Sequence, residues 1–161
     1  MVYRMLQTSY NGDKIDAEDK KKNYEASINL AKTAVGLDMK DPQNWYVLGN
    51  AHLTNFFVNE DINVGELTSA LKAYAQSEKN MSELSVNPDV YYNRATIYEY
   101  LERYNEAVAD YNTAFKIDPN LDADKKANNV IGFVHRAYNA IVNKGKLKSN
   151  RLTSMVKSIP Q

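Results

Sequence analysis

Between residues 88 and 121, aromatic and small side chains recur at spacings that fit two antiparallel helices. The markers are Tyr91, Ala95, Tyr98, Tyr104, Ala107, Tyr111 and Ala114, with Pro119 at the end. Small residues let two helix backbones approach closely, and the aromatic rings fill the space to the neighbouring pair. Pro119 is tolerated in a first helical turn but not in a helix interior. The pattern therefore predicts a complete helical hairpin over 88–121.

This spacing matches the 34-residue tetratricopeptide repeat, in which each repeat is one pair of antiparallel helices. A second repeat is predicted over 42–87, and its markers are Trp45, Leu48, Gly49, Ala70 and Tyr74. Nine residues are inserted between its helices, where the polar stretch 59–65 ends in glycine and predicts a loop. A second insertion of six residues precedes Pro88. Polar loops lengthen at small entropic cost, so the packing of the repeat is retained.

The residues before this repeat predict part of another one. Over 1–41, the small residues at the second-helix positions are Ser27, Ala31 and Ala34. Its first helix would run from Met1 to about Thr8, and the charged stretch 10–22 would be the loop between the helices. Because this first helix is so short, we expect the chain to begin inside an array whose upstream repeats are missing.

Residues 122–161 predict a cap on the array instead of another repeat. A helix over 121–143 has apolar residues at Val130, Ile131, Phe133, Val134, Tyr138, Ile141 and Val142. Such an amphipathic helix can cover the exposed face of the last repeat, which helical arrays need. Gly145 ends it, and Leu152, Met155 and Val156 predict one more short, basic helix. The predicted fold is all-α, a tetratricopeptide-repeat solenoid with a C-terminal capping helix, in one domain.

The composition fits a globular intracellular protein. Hydrophobic residues make up 43% of the chain and charged residues 25%, and there is no cysteine. The lack of cysteine excludes disulfides, cysteine-based zinc sites and thiol nucleophiles. No apolar run reaches the roughly 18–20 residues that span a bilayer, and the amino terminus lacks a secretory signal. We expect a soluble protein of the cytoplasm and nucleus with no membrane partner.

No pattern typical of catalysis or metal binding is present, so we expect no enzymatic activity and no cofactor. The two histidines, His52 and His135, have no histidine or carboxylate four residues away. The six glycines are isolated, which argues against a phosphate-binding loop. His52 occupies an aromatic position of its repeat, so we interpret it as a packing residue.

The zero net charge hides an uneven distribution. The first 124 residues hold all 20 acids and 12 bases, whereas 125–161 hold eight bases and no acid. A basic end can attract polyanions, although a terminal helix with a solvated lysine face has the same composition. The basic stretch 144–151 lacks the stacking aromatics that nucleic-acid sites favour. We therefore expect a protein or peptide partner and no nucleic acid.

In this architecture the first helix of each repeat lines the concave surface, where an extended peptide can bind. The predicted peptide-binding residues at these positions are Tyr46, Asn50, Asp89, Tyr92, Asn93 and Thr96. Asn93 suits this role because its amide both donates and accepts hydrogen bonds. Alternatives exist, since Asp89 is favoured by the helix dipole without a ligand and Tyr92 fits simple packing. Arg94 replaces the usual leucine and fits either an ion pair across the hairpin or a contact with the groove.

Three segments go beyond the generic repeat, namely WYVLGNAHL (45–53), ALKAYAQSEK (70–79) and NPDVYYNRAT (87–96). They resemble the C-terminal repeats of the tetratricopeptide repeat protein 5 (Strap) family, and both insertions fall where that family has them. Residues 143–155 resemble the helix that follows the last repeat of the family. The resemblance covers almost the whole chain and implies further repeats upstream and an OB-fold domain downstream.

The resemblance implies a binding module that recognises the amino-terminal Met-Arg-Glu sequence of nascent tubulins at the ribosome, in the autoregulation of tubulin messenger RNA. It assigns Arg4 and Asp89 to the groove, which is chemically consistent because a peptide glutamate and arginine pair with a base and an acid. A further groove acid of the family falls at Ala123, between Asp122 and Asp124. The same resemblance implies an alternative, a stress-response scaffold that assembles transcription cofactors, including acetyltransferase coactivator complexes.

Overall fold

A computed structural model describes residues 17–58 and 63–142, and the side chains from residue 21 onward in these ranges. Within these ranges the chain forms six α-helices and a short 3-10 turn, with no strand. They are α1 (Ala17–Leu37), α2 (Pro42–Val58), α3 (Val64–Asn80), α4 (Pro88–Tyr100), α5 (Tyr104–Ile117), the 3-10 turn Pro119–Leu121 and α6 (Ala123–Val142). Consecutive helices pack on one another, and α2 also contacts α4. The predicted all-α fold is confirmed.

Capping residues fix where the helices of the two central repeats begin. The side chain of Asn87 accepts a hydrogen bond from the backbone nitrogen of Asp89 at 3.0 Å, and Pro88 follows in the first turn of α4. The side chain of Asn63 accepts from the backbone nitrogen of Gly65 at 2.9 Å at the start of α3. Both caps satisfy a backbone donor that has no partner within the helix. Each inserted loop therefore leads into a well-defined helix.

Two loops are shorter than the sequence pattern predicted. The expected connector over 10–22 overlaps α1, which begins at Ala17, because the stretch AEDKKK consists mainly of good helix formers. The expected loop over 59–65 ends at Asn63, because this residue caps α3 and the two that follow are helical. The connection over 82–87 is irregular, as expected. The predicted helices over 1–8 and 152–156 lie outside the described residues.

The apolar core is a series of three clusters along the array, each shared by three helices. The cluster of α1, α2 and α3 contains Ile28, Ala31, Val35, Leu48, Ala51 and Ala73. The cluster of α2, α3 and α4 contains Leu53, Phe56, Leu67, Ala70, Tyr74, Val90 and Ile97. The cluster of α4, α5 and α6 contains Ala95, Ala107, Tyr111, Ala114, Ala123, Ala127 and Val130. The repeat markers are thus packing residues, as their spacing predicted.

His52 is buried within this core, and one of its ring nitrogens lies close to an acid. The distance from His52 Nδ1 to Glu66 Oε2 is 2.6 Å. The two residues stand on α2 and α3, so the contact joins the two helices of one repeat. The interpretation of His52 as a packing residue agrees with its burial, and its carboxylate partner is an additional finding.

The buried residues of helix α6 are small, and the half-exposed Phe133 ring also packs on Tyr104 of α5. Ala123, Ala127 and Val130 are buried against α5. Of the apolar residues that were expected to form the cap, Val130 is buried, whereas the others are exposed, namely Ile131, Phe133, Val134, Tyr138, Ile141 and Val142. For Val134, Tyr138, Ile141 and Val142 the reason is length, because α6 has 20 residues and α5 has 14. The end of α6 therefore extends beyond the helix that it covers.

Arg94 joins three helices through ion pairs. Its Nε and Nη2 donate to the two carboxylate oxygens of Asp110 on α5 at 2.6 and 2.9 Å, and its Nη1 donates to Glu78 on α3. Only 11% of the Arg94 side chain is exposed, and its guanidinium lies over the Tyr91 ring. Burial alone would lower the pKa of Arg94, but the hydrogen bonds to Asp110 and Glu78 raise it further than burial lowers it. Of the two interpretations of Arg94, the structure shows the ion pair across the hairpin.

We predict that Arg94→Leu, which restores the usual repeat residue, lowers the free energy of unfolding by about 3 kcal/mol. The reason is that Asp110 would remain buried without its partner. The double variant Arg94→Leu, Asp110→Leu should recover most of this loss, because no buried charge is then unpaired. Urea unfolding followed by circular dichroism measures both changes.

A matched control for this prediction is Arg103→Leu, which removes an exposed arginine that pairs with Glu106 at 2.7 Å. Exposed ion pairs contribute little to stability, so the control should change the unfolding midpoint much less than Arg94→Leu. Equal losses from the two substitutions would show that burial of the Arg94 ion pairs has no special importance.

Candidate functional site

Two asparagines from neighbouring repeats form a hydrogen bond between α2 and α4. Asn93 Nδ2 donates to Asn50 Oδ1 at 3.0 Å, and the hydroxyl of Tyr74 donates to the same oxygen at 2.7 Å. Asn93 is only 7% exposed, whereas Asn50 is half-buried. Two donors on one carbonyl oxygen fix the orientation of the Asn50 amide. The network is therefore formed by contacts within the chain itself.

Tyr46 and Asp89 lie one helical turn before these asparagines, on the same helix faces. Both are half-buried. Burial raises the pKa of the Tyr46 hydroxyl, the Asn50 amide lowers it, and the nearby Asp89 carboxylate raises it again. A neutral phenol thus stands beside a carboxylate. Four of the predicted peptide-binding residues, Tyr46, Asn50, Asp89 and Asn93, are therefore brought together, and we call them the polar row.

Among the acids of the described central helices, Asp89 and Glu99 have no basic partner. Asp110 and Glu78 are bound to Arg94, and Glu99 accepts a hydrogen bond from the Tyr111 hydroxyl at 2.9 Å. The Asp89 carboxylate is half-buried beside Tyr46 instead. A half-buried carboxylate without a basic partner is available to a cation from another molecule.

Tyr92 and Thr96, the other two predicted residues of α4, belong to a neighbouring cluster around Tyr111. The rings of Tyr92 and Tyr111 pack edge to face with centroids 5.4 Å apart. Thr96 Oγ1 lies 3.3 Å from the Tyr111 hydroxyl and donates to the backbone carbonyl of Tyr92 at 3.1 Å. Burial raises the pKa of Tyr111, and the Glu99 carboxylate adds to this increase. These two residues therefore make internal contacts. For Tyr92, packing against Tyr111 is one of the two interpretations that the sequence left open.

An open pocket of about 330 Å³ lies at the N-terminal ends of α2 and α4. It is lined by Asp41, Pro42, Gln43, Ser77, Met81, Ser85 and Asn87. Gln43 lies one turn before Tyr46, and Asn87 lies two residues before Asp89, so the pocket continues the direction of the polar row. Ser85 and Asn87 come from the six-residue insertion, which thus forms one wall.

The family resemblance implied two further groove positions, Arg4 and Ala123. Arg4 lies outside the described residues. Ala123 is fully buried in the cluster of α4, α5 and α6, so position 123 is part of the core. Asp122 next to it is exposed and pairs with Lys125 at 2.8 Å, whereas Asp124 is half-buried in the first turn of α6.

Tyr74 is the residue of this site that the sequence pattern assigned to the core alone. Its ring is fully buried, but its hydroxyl reaches the polar row. The close approach depends on Gly49, because a Cβ at this position would lie 2.5 Å from Tyr74 Cε1. A signal was present in the sequence, since tyrosine stands where phenylalanine would fill the same space.

The site consists of amides, hydroxyls and one carboxylate, which suits binding and offers no nucleophile and base pair. Among the described residues, no three histidine, aspartate or glutamate side chains come close enough to hold a metal ion. No helix in that part of the chain is both long and apolar enough to cross a membrane.

Stacked pairs of antiparallel helices are the architecture of helical-repeat arrays, among them tetratricopeptide repeats. In agreement, the family model of the tetratricopeptide repeat matches residues 88–121, the same residues on which the sequence pattern placed a complete repeat. The chain therefore contains a tetratricopeptide repeat, a kind of repeat that is typical of protein-interaction modules.

Among curated proteins, the chain is similar to tetratricopeptide repeat protein 5 of Mus musculus, Homo sapiens and Bos taurus. The identities are 37% over 160 residues, 35% over 162 and 36% over 157, respectively. The alignments cover 97–99% of this chain and 34–35% of those proteins. The chain thus spans about a third of the length of the relatives it matches, and the predicted resemblance is confirmed.

We predict that Gly49→Ala destabilises the chain by about 1–3 kcal/mol, because the added methyl group forces the Tyr74 ring to move. The matched control is Gly36→Ala in α1, where an added Cβ meets nothing within 4 Å. This control should be neutral or stabilising by up to about 1 kcal/mol, because alanine has the higher helix propensity. Chemical unfolding of both variants compares them, and a Gly49→Ala chain as stable as wild type would contradict the importance of this contact.

Proposed function

We propose that the polar row binds the amino-terminal end of another polypeptide in an extended conformation, with a basic peptide side chain at Asp89. The observation that carries this proposal is the half-buried Asp89 carboxylate, which has no basic partner among the described residues and lies beside oriented amides. The comparisons support the coarser statement, an interaction module of the tetratricopeptide-repeat class.

The spacing of the amides suits an extended backbone. Residues four apart on a helix are separated by about 6 Å along its axis, and alternate residues of an extended chain by about 6.6–6.8 Å. Asn50 and Asn93 lie four residues beyond Tyr46 and Asp89, so the row offers polar groups at about this interval. Because the Asn50 carbonyl accepts from Tyr74 and Asn93 and the Asn50 amide also acts on the Tyr46 hydroxyl, the carbonyl of Asn93 is the amide group best suited to bind peptide backbone.

The charge of the row favours an arginine in the peptide. A guanidinium forms two parallel hydrogen bonds with a carboxylate and is more weakly hydrated than an ammonium group. Both properties suit a carboxylate that is partly withdrawn from solvent next to a neutral phenol. The Met-Arg-Glu sequence carries such an arginine as its second residue.

We therefore propose nascent tubulin as the partner, recognised through its amino-terminal Met-Arg-Glu sequence during the autoregulation of tubulin messenger RNA. The similarity to tetratricopeptide repeat protein 5 over 97–99% of the chain supports this choice, together with the resemblance of the groove segments. Such a role places the protein with ribosomes in the cytoplasm.

The test is binding of a C-terminally labelled Met-Arg-Glu peptide, followed by fluorescence anisotropy. We predict that Asp89→Asn weakens binding about 10- to 100-fold, because a charge-assisted hydrogen bond contributes roughly 1.5–3 kcal/mol. Glu106→Gln is the matched control, since Glu106 is also a first-turn acid but stands on α5, the second helix of its repeat. The control should bind the peptide as wild type does.

A second peptide, Met-Ala-Glu, tests whether Asp89 contacts the arginine of the first peptide. Asp89→Asn should have no further effect on this peptide, because the arginine that Asp89 binds is absent. If the wild-type chain shows no preference for the arginine peptide, or if Asp89→Asn weakens both peptides equally, the proposal is wrong. The scaffold alternative would then gain support if transcription cofactors were captured equally by wild type and by Asp89→Asn.

A further inference from the structure

Side chains of α2 and α4 meet in pairs that keep one register along the two helices. In each pair the second residue follows the first by 43 positions in the sequence. The pairs are Tyr46 with Asp89, Asn50 with Asn93 and Phe57 with Tyr100. The first and last pairs stand eleven residues apart on each helix, which is close to three full turns. All three pairs therefore lie on one line between the helices, which we call the seam.

The C-terminal end of the seam carries two exposed aromatic rings. The rings of Phe57 and Tyr100 stand perpendicular with centroids 6.0 Å apart, and we call them the ring pair. Phe56 supports Tyr100 from the core, with centroids 5.1 Å apart. Nevertheless 45% of Phe57 and 46% of Tyr100 are exposed. The ring pair thus offers apolar surface, fixed by packing from below, at the end of the polar row.

Charge gives a peptide on the seam a direction. The carboxylate of Asp89 lies at the N-terminal end of the seam, and Asp41 lines the pocket that adjoins this end. The ring pair at the opposite end is uncharged. A peptide that begins Met-Arg carries two neighbouring positive groups, its terminal ammonium and its guanidinium, which both favour the acidic end. Its following residues therefore run toward the ring pair.

We infer that the ring pair binds an apolar side chain of the same peptide, four or five residues after the arginine. This inference rests on the proposed function and extends the recognised sequence beyond its first three residues. Tyr100 lies eleven residues after Asp89 on α4, a distance of about 16.5 Å along the helix. An extended chain covers this distance in about five residues. Because the arginine side chain can lean back toward Asp89, four residues are also enough.

The size of the ring pair fits a single side chain and not a second copy of this chain. Two aromatic side chains that are half exposed present roughly 200 Å² together. A stable interface between proteins buries about 800 Å² on each partner. One leucine or isoleucine side chain covers much of the ring pair, and the rest of the peptide is held by the polar row.

The test is a leucine scan in a labelled nine-residue peptide that consists of Met-Arg-Glu followed by serines. One leucine replaces each serine from position 4 to position 9 in turn, and fluorescence anisotropy measures binding to the wild-type chain. Leucine at position 6 or 7 should tighten binding about fivefold over the all-serine peptide, because part of its apolar surface leaves water. A flat scan, or a maximum at another position, would overturn the inference.

Phe57→Ser identifies the surface that the leucine meets. This variant should lose the gain from leucine at position 6 or 7 and still bind the all-serine peptide as wild type does, which also shows that it is folded. The matched control is Phe133→Ser, because Phe133 is 49% exposed and packs on Tyr104 of α5, away from the seam. The control should keep the gain. Retention of the gain in Phe57→Ser, or its loss in both variants, would contradict binding at the ring pair.

Asp89→Asn separates this inference from the proposed function. It should weaken every arginine peptide by the same factor and leave the leucine gain unchanged, because distant contacts contribute independently. A flat leucine scan with an intact effect of Asp89→Asn overturns the role of the ring pair alone. Loss of the arginine preference overturns the proposed function instead. If Phe57→Ser changes the oligomeric state in sedimentation and leaves the leucine gain intact, the ring pair joins two copies of the chain and the inference is wrong.

Discussion

The structure depends on close contact between helices at positions where the side chain is small or absent. Gly49 allows the Tyr74 ring to lie directly on α2, and fully buried alanines, such as Ala70, Ala95 and Ala107, occupy the other helix contacts. Close packing fixes the position of the Tyr74 ring, because buried side chains in a dense core have little freedom to move. The hydroxyl of Tyr74 consequently reaches Asn50 at hydrogen-bond distance, and the orientation of the polar row follows from it.

The aspartate carboxylate has two different roles in this fold, and the neighbouring side chains determine which role each one has. Both carboxylate oxygens of Asp110 accept hydrogen bonds from Arg94, which also donates to Glu78 and so joins α3, α4 and α5. Asp89, one helix away, lies beside the neutral Tyr46 instead. The carboxylate with a basic partner stabilises the array, whereas the carboxylate without one gives the polar row a charge that a ligand can neutralise.

Much of the fold and part of the site could be predicted from the spacing of side chains. Proline and aromatic markers gave the repeat over 88–121, and the helix positions of Tyr46, Asn50, Asp89 and Asn93 placed these four residues in one row. The hydroxyl of Tyr74 was not predicted, because a core position in the pattern says nothing about where the polar end of a side chain points. Helix starts at Ala17 and Val64 were missed for a similar reason, since local capping and helix propensity act independently of the repeat pattern.

The sequence by itself determined the all-α class and the faces of the helices, because helical spacing fixes which side chains share a face. Only the tertiary structure decided the partners of those faces. It directed Arg94 to Asp110 and Glu78 instead of the groove, and it left the second half of the α6 face uncovered, because α6 is longer than α5. Such outcomes depend on distances between helices that are far apart in the chain. A pattern along one helix carries no information about these distances.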